Sequence, residues 1–163
     1  MVVKSVVYWV FVVKDHVVGG KVLPAREVAL VRIREGFWLV SRRVASMKDL
    51  QEGGHAVFYM TGREGRMFIG DGEFRQPAKP ITDEIRFHVV GYPSEKLTHF
   101  IPLENASLWR RPVMAEEVVE RLSFIRRKDK WMYYFRGSVR RIPEEDFMFL
   151  KSIGTSVIDT RNT

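Results

Sequence analysis

The stretch from Arg121 to Phe149, RLSFIRRKDKWMYYFRGSVRRIPEEDFMF, sets Arg126, Arg127, Lys128, Lys130, Arg136, Arg140 and Arg141 among Phe124, Trp131, Tyr133, Tyr134, Phe135, Phe147 and Phe149. These residue types suit opposite parts of a nucleic acid, because cations neutralise phosphates and aromatic faces stack on bases. A basic surface beside a hydrophobic core produces the same letters. Composition alone leaves both readings open.

The remaining candidates for chemistry are sparse. His16, His55, His88 and His99 are scattered, with no pair at a metal-ligating spacing, and the chain has no cysteine, which removes thiolate nucleophiles, Cys-based zinc sites and disulfide staples. Asp71, Glu73, Asp83 and Glu84 have neither a nucleophile nor a metal ligand beside them and read as solvated loop carboxylates. No serine sits in a nucleophile elbow; Ser123, before Phe124, reads as a hydroxyl bonded to nearby backbone. Neither a catalytic residue nor a cofactor nor a metal is expected. That leaves binding, and the net charge of +7, with a pI near 9.9, favours polyanionic partners.

The elements that must position such residues are those of one domain of ordinary size, 163 residues long. Residues 6–13, VVYWVFVV, are apolar without alternation and predict a central strand buried on both faces. That run is too short for a membrane span of about 20 residues and lacks a signal-peptide cleavage pattern, so a cytoplasmic chain is expected. Lys21–Glu35 reads as a short helix or connector. Val44, Met47 and Leu50 predict a helix over 40–51, and 56–61 and 66–75 predict strands joined by a hairpin at Gly62–Gly65. Gly70 and Gly72 mark a bulge or a close backbone approach. Further strands are expected at 84–90 and 98–103, a helix at 112–122 and a closing helix at 143–150, with a disordered tail from residue 154. Short strands outnumber helices and no βαβ alternation appears, which predicts a compact α+β domain of mixed-sheet or barrel-like form.

Order within the C-terminal stretch is informative: Leu122-Ser-Phe-Ile125, then Trp131, then Phe135-Arg-Gly-Ser138, then Ile142-Pro-Glu-Glu-Asp-Phe147. This resembles the C-terminal signature of the EVE domain, a PUA-like family. Tyr8-Trp-Val-Phe-Val12 resembles the family's opening strand, Gly36-Phe-Trp-Leu-Val40 its aromatic segment, and Val57-Phe-Tyr-Met-Thr-Gly62 its next core strand. The resemblance implies a single domain over residues 1–153, a PUA-like pseudobarrel of mostly antiparallel short strands with a few flanking helices.

EVE domains are similar in fold to YTH domains, and that likeness implies a pocket for a flipped, modified base of DNA or RNA between aromatic walls. An extruded base loses stacking worth a few kcal/mol, which such walls replace. Carried onto this chain, the resemblance makes Trp38 a stacking wall and makes Lys14 and Asp15 a donor and acceptor for the base edge, where the family more often has a small amide residue. Trp131 closes the pocket or plugs the barrel; Ser123 and Arg136 lie at its rim, Arg136 binding phosphate or pairing with a carboxylate such as Asp146. Arg42, Arg43, Arg126, Arg127, Lys128 and Arg140 are candidate phosphate contacts. Trp109, beside Arg110 and Arg111, either stacks on a base or lies over an arginine. The competing readings are a nucleic-acid-modifying enzyme, with Lys14 and Asp15 as its reactive groups, and a sensor of a small nucleotide-like ligand.

Overall fold

The computed structural model describes residues 6–41, 47–88, 97–137 and 139–156. Its organising element is β1 (Tyr8–Lys14), buried from Tyr8 to Val13 as its unbroken apolar run predicts. It pairs in parallel with β5 (His55–Gly62) and antiparallel with β9 (Val139–Ile142). Side chains alternate across a strand, so Tyr8, Val10 and Val12 enter one core while Trp9, Phe11 and Val13 enter another on the opposite face.

The sheet has the order β4-β8-β6-β5-β1-β9, with β4 (Phe37–Val40), β6 (Gly65–Phe74) and the long β8 (His99–Met114) completing it, and β7 (Lys79–Pro80) pairing with β8. A separate hairpin joins β2 (His16–Val18) to β3 (Lys21–Leu23). The result is the expected α+β domain, a half-barrel sheet with few helices. Helix α1 (Ala25–Glu35) covers the Trp9 face, and Gly36, at φ 81°, closes it by donating its N–H to Arg32 and Ile33 carbonyls. Helices α3 (Ala115–Val118) and α4 (Glu144–Gly154), with a 3₁₀ stretch over Lys128–Phe135, cover the Tyr8 face. The β5–β6 hairpin falls at Gly62–Gly65 as expected. Gly70 sits at a register shift against β8, where a Cβ would stand 2.3 Å from the Ser107 carbonyl oxygen.

Three expectations are corrected. Where a strand was expected over 84–90, α2 (Asp83–His88) forms, because Thr82 Oγ1 accepts the Ile85 N–H at 3.4 Å and Asp83 and Glu84 occupy the first turn, where carboxylates favour a helix; residues 89 and 90 lie outside the described part. Of the helix expected over 40–51, Val40 belongs to β4 and, among the described residues, Met47–Asp49 form a 3₁₀ turn; residues 42–46 lie outside the described part. The helix expected over 112–122 is confined to α3 and a 3₁₀ turn at Val119–Arg121, since pairing with β6 holds β8 extended through Met114. The closing helix runs past residue 153, and Thr155 and Ser156 donate back to the Lys151 and Ile153 carbonyls. Residues 157–163 of the expected tail lie outside the described residues.

Two buried carboxylates tie the helices on. Asp146 accepts the Ser123 N–H at 2.9 Å, the Ser123 hydroxyl at 3.0 Å and the Phe124 N–H at 2.9 Å. Asp71 accepts Trp109 Nε1–H at 2.6 Å and Lys151 Nζ at 3.0 Å, joining β6, β8 and α4. Trp109 is therefore a core residue held by a carboxylate, and neither of its two expected roles applies. Loss of the Asp146 acceptor strands buried donors, so Asp146→Ala should lower the unfolding free energy by about 2–4 kcal/mol in chemical denaturation. At Gly154 a Cβ would stand 2.0 Å from Trp109 Cε3, so Gly154→Ala should lower Tm despite the better helix propensity of alanine.

Candidate nucleic-acid interface

At one end of the sheet the pairing register aligns Lys14 of β1 with Thr61 of β5 and Thr61 with Arg66 of β6. Alternation puts Lys14 and Arg66 on the face of Tyr8, Val10 and Tyr59. Tyr59, whose hydroxyl burial pushes well up against a smaller opposing pull from Arg66, stacks on Phe135 with centroids 4.1 Å apart. Directly after Phe135 the chain leaves the 3₁₀ stretch, passes through Arg136 and enters β9, which carries Arg140. Lys14, Arg66, Arg136 and Arg140 are all exposed.

What holds the last two in place is aromatic. The Arg136 guanidinium lies 3.9 Å from the Tyr133 ring centroid, and the Arg140 guanidinium 4.7 Å from Tyr134 and 5.8 Å from Phe124. Tyr134 is fixed because its hydroxyl accepts the Arg126 and Arg127 N–H groups at 3.2 and 3.0 Å. Stacking uses the face of a guanidinium and leaves its in-plane N–H donors outward, whereas a carboxylate partner would consume them. The ion pairs found among the described residues are Arg127–Asp129 and Lys151–Asp71, and neither involves these cations. The arrangement can grip phosphate oxygens in the plane of each guanidinium and offers the half-exposed Tyr133 ring beside one of them.

The sequence-predicted residues divide by face. Lys14, Ser123, Trp131 and Arg136 lie on the Tyr8 side, and Trp38 lies on the other, so the sheet separates Trp38 from Trp131 and they do not line one pocket. Trp131 packs edge-on against Phe135 at 6.1 Å. Ser123 donates its hydroxyl to Asp146 and Glu145 at 3.0 Å each, bonding to carboxylates and not to backbone. Asp146 is thereby filled by backbone and hydroxyl donors, and Arg136 stacks on Tyr133 without pairing with it. Asp15 accepts the Ala25 N–H at 2.8 Å and the Arg63 N–H at 2.9 Å, one through each oxygen, pinning α1 and the β5–β6 hairpin to β1. Each Asp15 oxygen thus carries a backbone N–H, which gives the residue a structural role at the end of β1.

Among the phosphate candidates, Arg126 and Arg140 are exposed and free of carboxylates, and Arg127 pairs with Asp129 at 3.4 Å in the open, a contact worth little. The Lys128 ammonium donates to the Val119 and Leu122 carbonyls at 3.0 and 2.7 Å and closes the turn after α3, which ties two of its three donors to the fold. Arg42 and Arg43 lie outside the described residues. Arg66 was missed, although the Gly-Arg-Glu-Gly hairpin beside a central strand placed it at the same sheet end as Lys14.

Trp38 is fully buried. Phe58 stacks on it in parallel at 4.4 Å, and the Arg32 guanidinium of α1 lies 4.8 Å from its centroid. Arg32 was also missed. It is 3% exposed, and among the described residues no carboxylate pairs with it and its Nε and Trp38 Nε1 have no hydrogen-bond partner. Burial pushes the guanidinium down to about 9, which leaves it charged at neutral pH. An unpaired buried charge costs more than a cation–π contact of about 2 kcal/mol returns. Arg32→Met should therefore raise the unfolding free energy by about 1 kcal/mol or more, measurable as a higher denaturation midpoint with an unchanged slope.

No family model matches the chain. A UPF0310 protein of Pyrococcus abyssi is 30% identical to it over 122 residues, which cover 71% of this chain and 84% of that protein. Among solved structures, human THYN1 in complex with 5-methylcytosine-containing DNA superposes with a TM-score of 0.61 at 12% identity, over 93% of this chain and 99% of that one. The YTH domain of Zygosaccharomyces rouxii MRB1, in complex with N6-methyladenosine RNA, gives 0.54 at 15% identity over 94% and 91%. The N-terminal domain of Staphylothermus marinus McrB gives 0.56 at 14% over 90% and 94%. The chain belongs to the UPF0310 family, and its fold is the PUA-like pseudobarrel of EVE domains.

Proposed function

We propose that the protein is a non-catalytic nucleic-acid-binding domain that reads a modified base, gripping the strand through the stacked arginines of the Tyr8 face. The observation that carries this reading is the pair of guanidinium groups, Arg136 on Tyr133 and Arg140 on Tyr134 and Phe124, oriented by rings and not by carboxylates. Lys14, Arg66 and Arg126 extend the same positive field. Likeness in fold to proteins solved with methylated DNA and with methylated RNA supports the same class of ligand. In this reading the half-exposed Tyr133 ring beside Arg136 is the aromatic face open to a base on the gripped side, Trp131 is a core residue under that face, and Trp38 lies fully buried beyond the sheet. A modified base suits an aromatic slot because an added methyl group enlarges the stacked apolar area without removing edge acceptors.

The test is strand binding as a function of salt. Fluorescence anisotropy with short plain and methylated DNA and RNA should show affinity falling steeply with salt. Arg136→Ala and Arg140→Ala should each weaken binding about tenfold and reduce the logarithmic salt slope by about 0.7–0.9. Lys128→Ala should leave affinity within about twofold, because its ammonium is engaged with carbonyls, and should lower stability by about 1 kcal/mol. A flat salt response, or arginine variants that bind as the intact chain does, would contradict the reading.

A further inference from the structure

We propose that Met132, displayed beside Tyr133 on a rigid turn, is a wedge that enters between two stacked base pairs of a duplex. The inference rests on the nucleic-acid reading above and goes beyond it, assigning the duplex as the ligand and the ease of unstacking as one source of selection.

Packing presents the wedge. The 3₁₀ stretch breaks at Lys130 (φ −122°, ψ 34°), and the turn that follows is held from below by three rings. Phe135 stacks on Tyr59 at 4.1 Å, Trp131 lies edge-on to Phe135 at 6.1 Å, and the Tyr134 hydroxyl accepts the Arg126 and Arg127 N–H groups. The two residues between Trp131 and Tyr134 are left outside: Met132 is 52% exposed and Tyr133 53%. Residues three apart eclipse in a 3₁₀ turn, which sets Arg136 over Tyr133 at 3.9 Å. Single exposed apolar side chains are ordinary on a surface. These two adjoin, unlike the other large apolar side chains exposed among the described residues, Val6, Val17, Met114 and Met148. An apolar tip on a turn that is already ordered loses little entropy when it is covered.

Charge selects what covers it. Arg126, Arg127, Lys130 and Arg136 flank the tip, and all are exposed. Asp129 is the one carboxylate between Arg126 and Arg136, and it pairs with Arg127 at 3.4 Å. A cationic rim around an apolar tip calls for an anionic partner with flat apolar surface inside it, and a duplex supplies both, as phosphates and base faces. Methionine is unbranched and adaptable, so it fits a narrow gap, and side chains of this kind part base steps and bend the helix. The unstacking cost is least at pyrimidine–purine steps such as TA and CA. A single strand has no paired stack to open, so the effect of Met132 is confined to duplexes.

A duplex carrying 2-aminopurine in a central TA step tests insertion, because this base brightens when its neighbour unstacks. Saturation with the intact chain should brighten it about twofold or more. Met132→Ala should restore the quenching and weaken duplex binding about tenfold, with the salt slope unchanged because no charge is lost. Met132→Lys separates the wedge from a basic surface: an added cation tightens binding to a basic surface, whereas loss of the wedge weakens it. Met132 is exposed, so both variants should keep the Tm of the intact chain and bind single strands as it does. Variants that bind the duplex as tightly as the intact chain, a base that stays quenched in the saturated complex, or equal weakening on single strands and duplexes would each overturn the proposal. So would loss of self-association in Met132→Ala with duplex binding unchanged, which would make the tip a contact between copies of the chain. Strand binding that obeys the arginine and salt dependence while Met132 variants bind as the intact chain does removes the wedge alone; absent or salt-insensitive strand binding removes the nucleic-acid reading and the wedge with it.

Discussion

Strand β1 is apolar on both faces, and the rest of the molecule follows from the need to cover it twice. A strand of this kind has to lie inside a sheet and between two layers. Here β5 and β9 flank it, α1 with Trp38 and Phe58 covers one face, and α4 with the 3₁₀ stretch covers the other. The two layers face different problems. On the Tyr8 side the covering segment is short, aromatic and basic, so its rings complete the core and its cations are left outside on top of those rings. On the Trp9 side a helix completes the core, and one arginine is carried into it.

The two arginine environments make the division of labour physical. Exposed guanidinium groups stacked on Tyr133 and Tyr134 pay no desolvation cost and keep their donors available, which suits a surface that must exchange water for phosphate. The buried guanidinium on Trp38 keeps its charge with no carboxylate partner among the described residues. Asp15 links them mechanically, since it fixes the start of α1 and the β5–β6 hairpin to the end of β1 where Lys14 emerges.

Much of this architecture was legible in the residues. The unalternating run over 6–13, the glycines of the β5–β6 hairpin and the bulge glycine at position 70 each impose a backbone requirement that few arrangements satisfy, and each is met. Residues 84–88 were misread because a strand-like alternation of Ile85 and Phe87 is opposed by capping at Thr82, a local hydrogen bond that outweighs β-propensity. The site was less legible for a different reason. Which face of the sheet a tryptophan enters depends on long-range register, so Trp38 and Trp131 looked like two walls of one pocket although the sheet stands between them. Asp15 and Lys128 looked free because backbone partners leave no trace in spacing, and the burial of Arg32 follows from the phase of α1, which places it on the buried stripe.

The most direct test of the account is hydrogen exchange of the protein with and without a short methylated strand, read by mass spectrometry at peptide resolution. The account predicts added protection over 126–142 and over the 61–67 hairpin. Protection confined to β7 and α2, or no change anywhere at saturating strand, would contradict it.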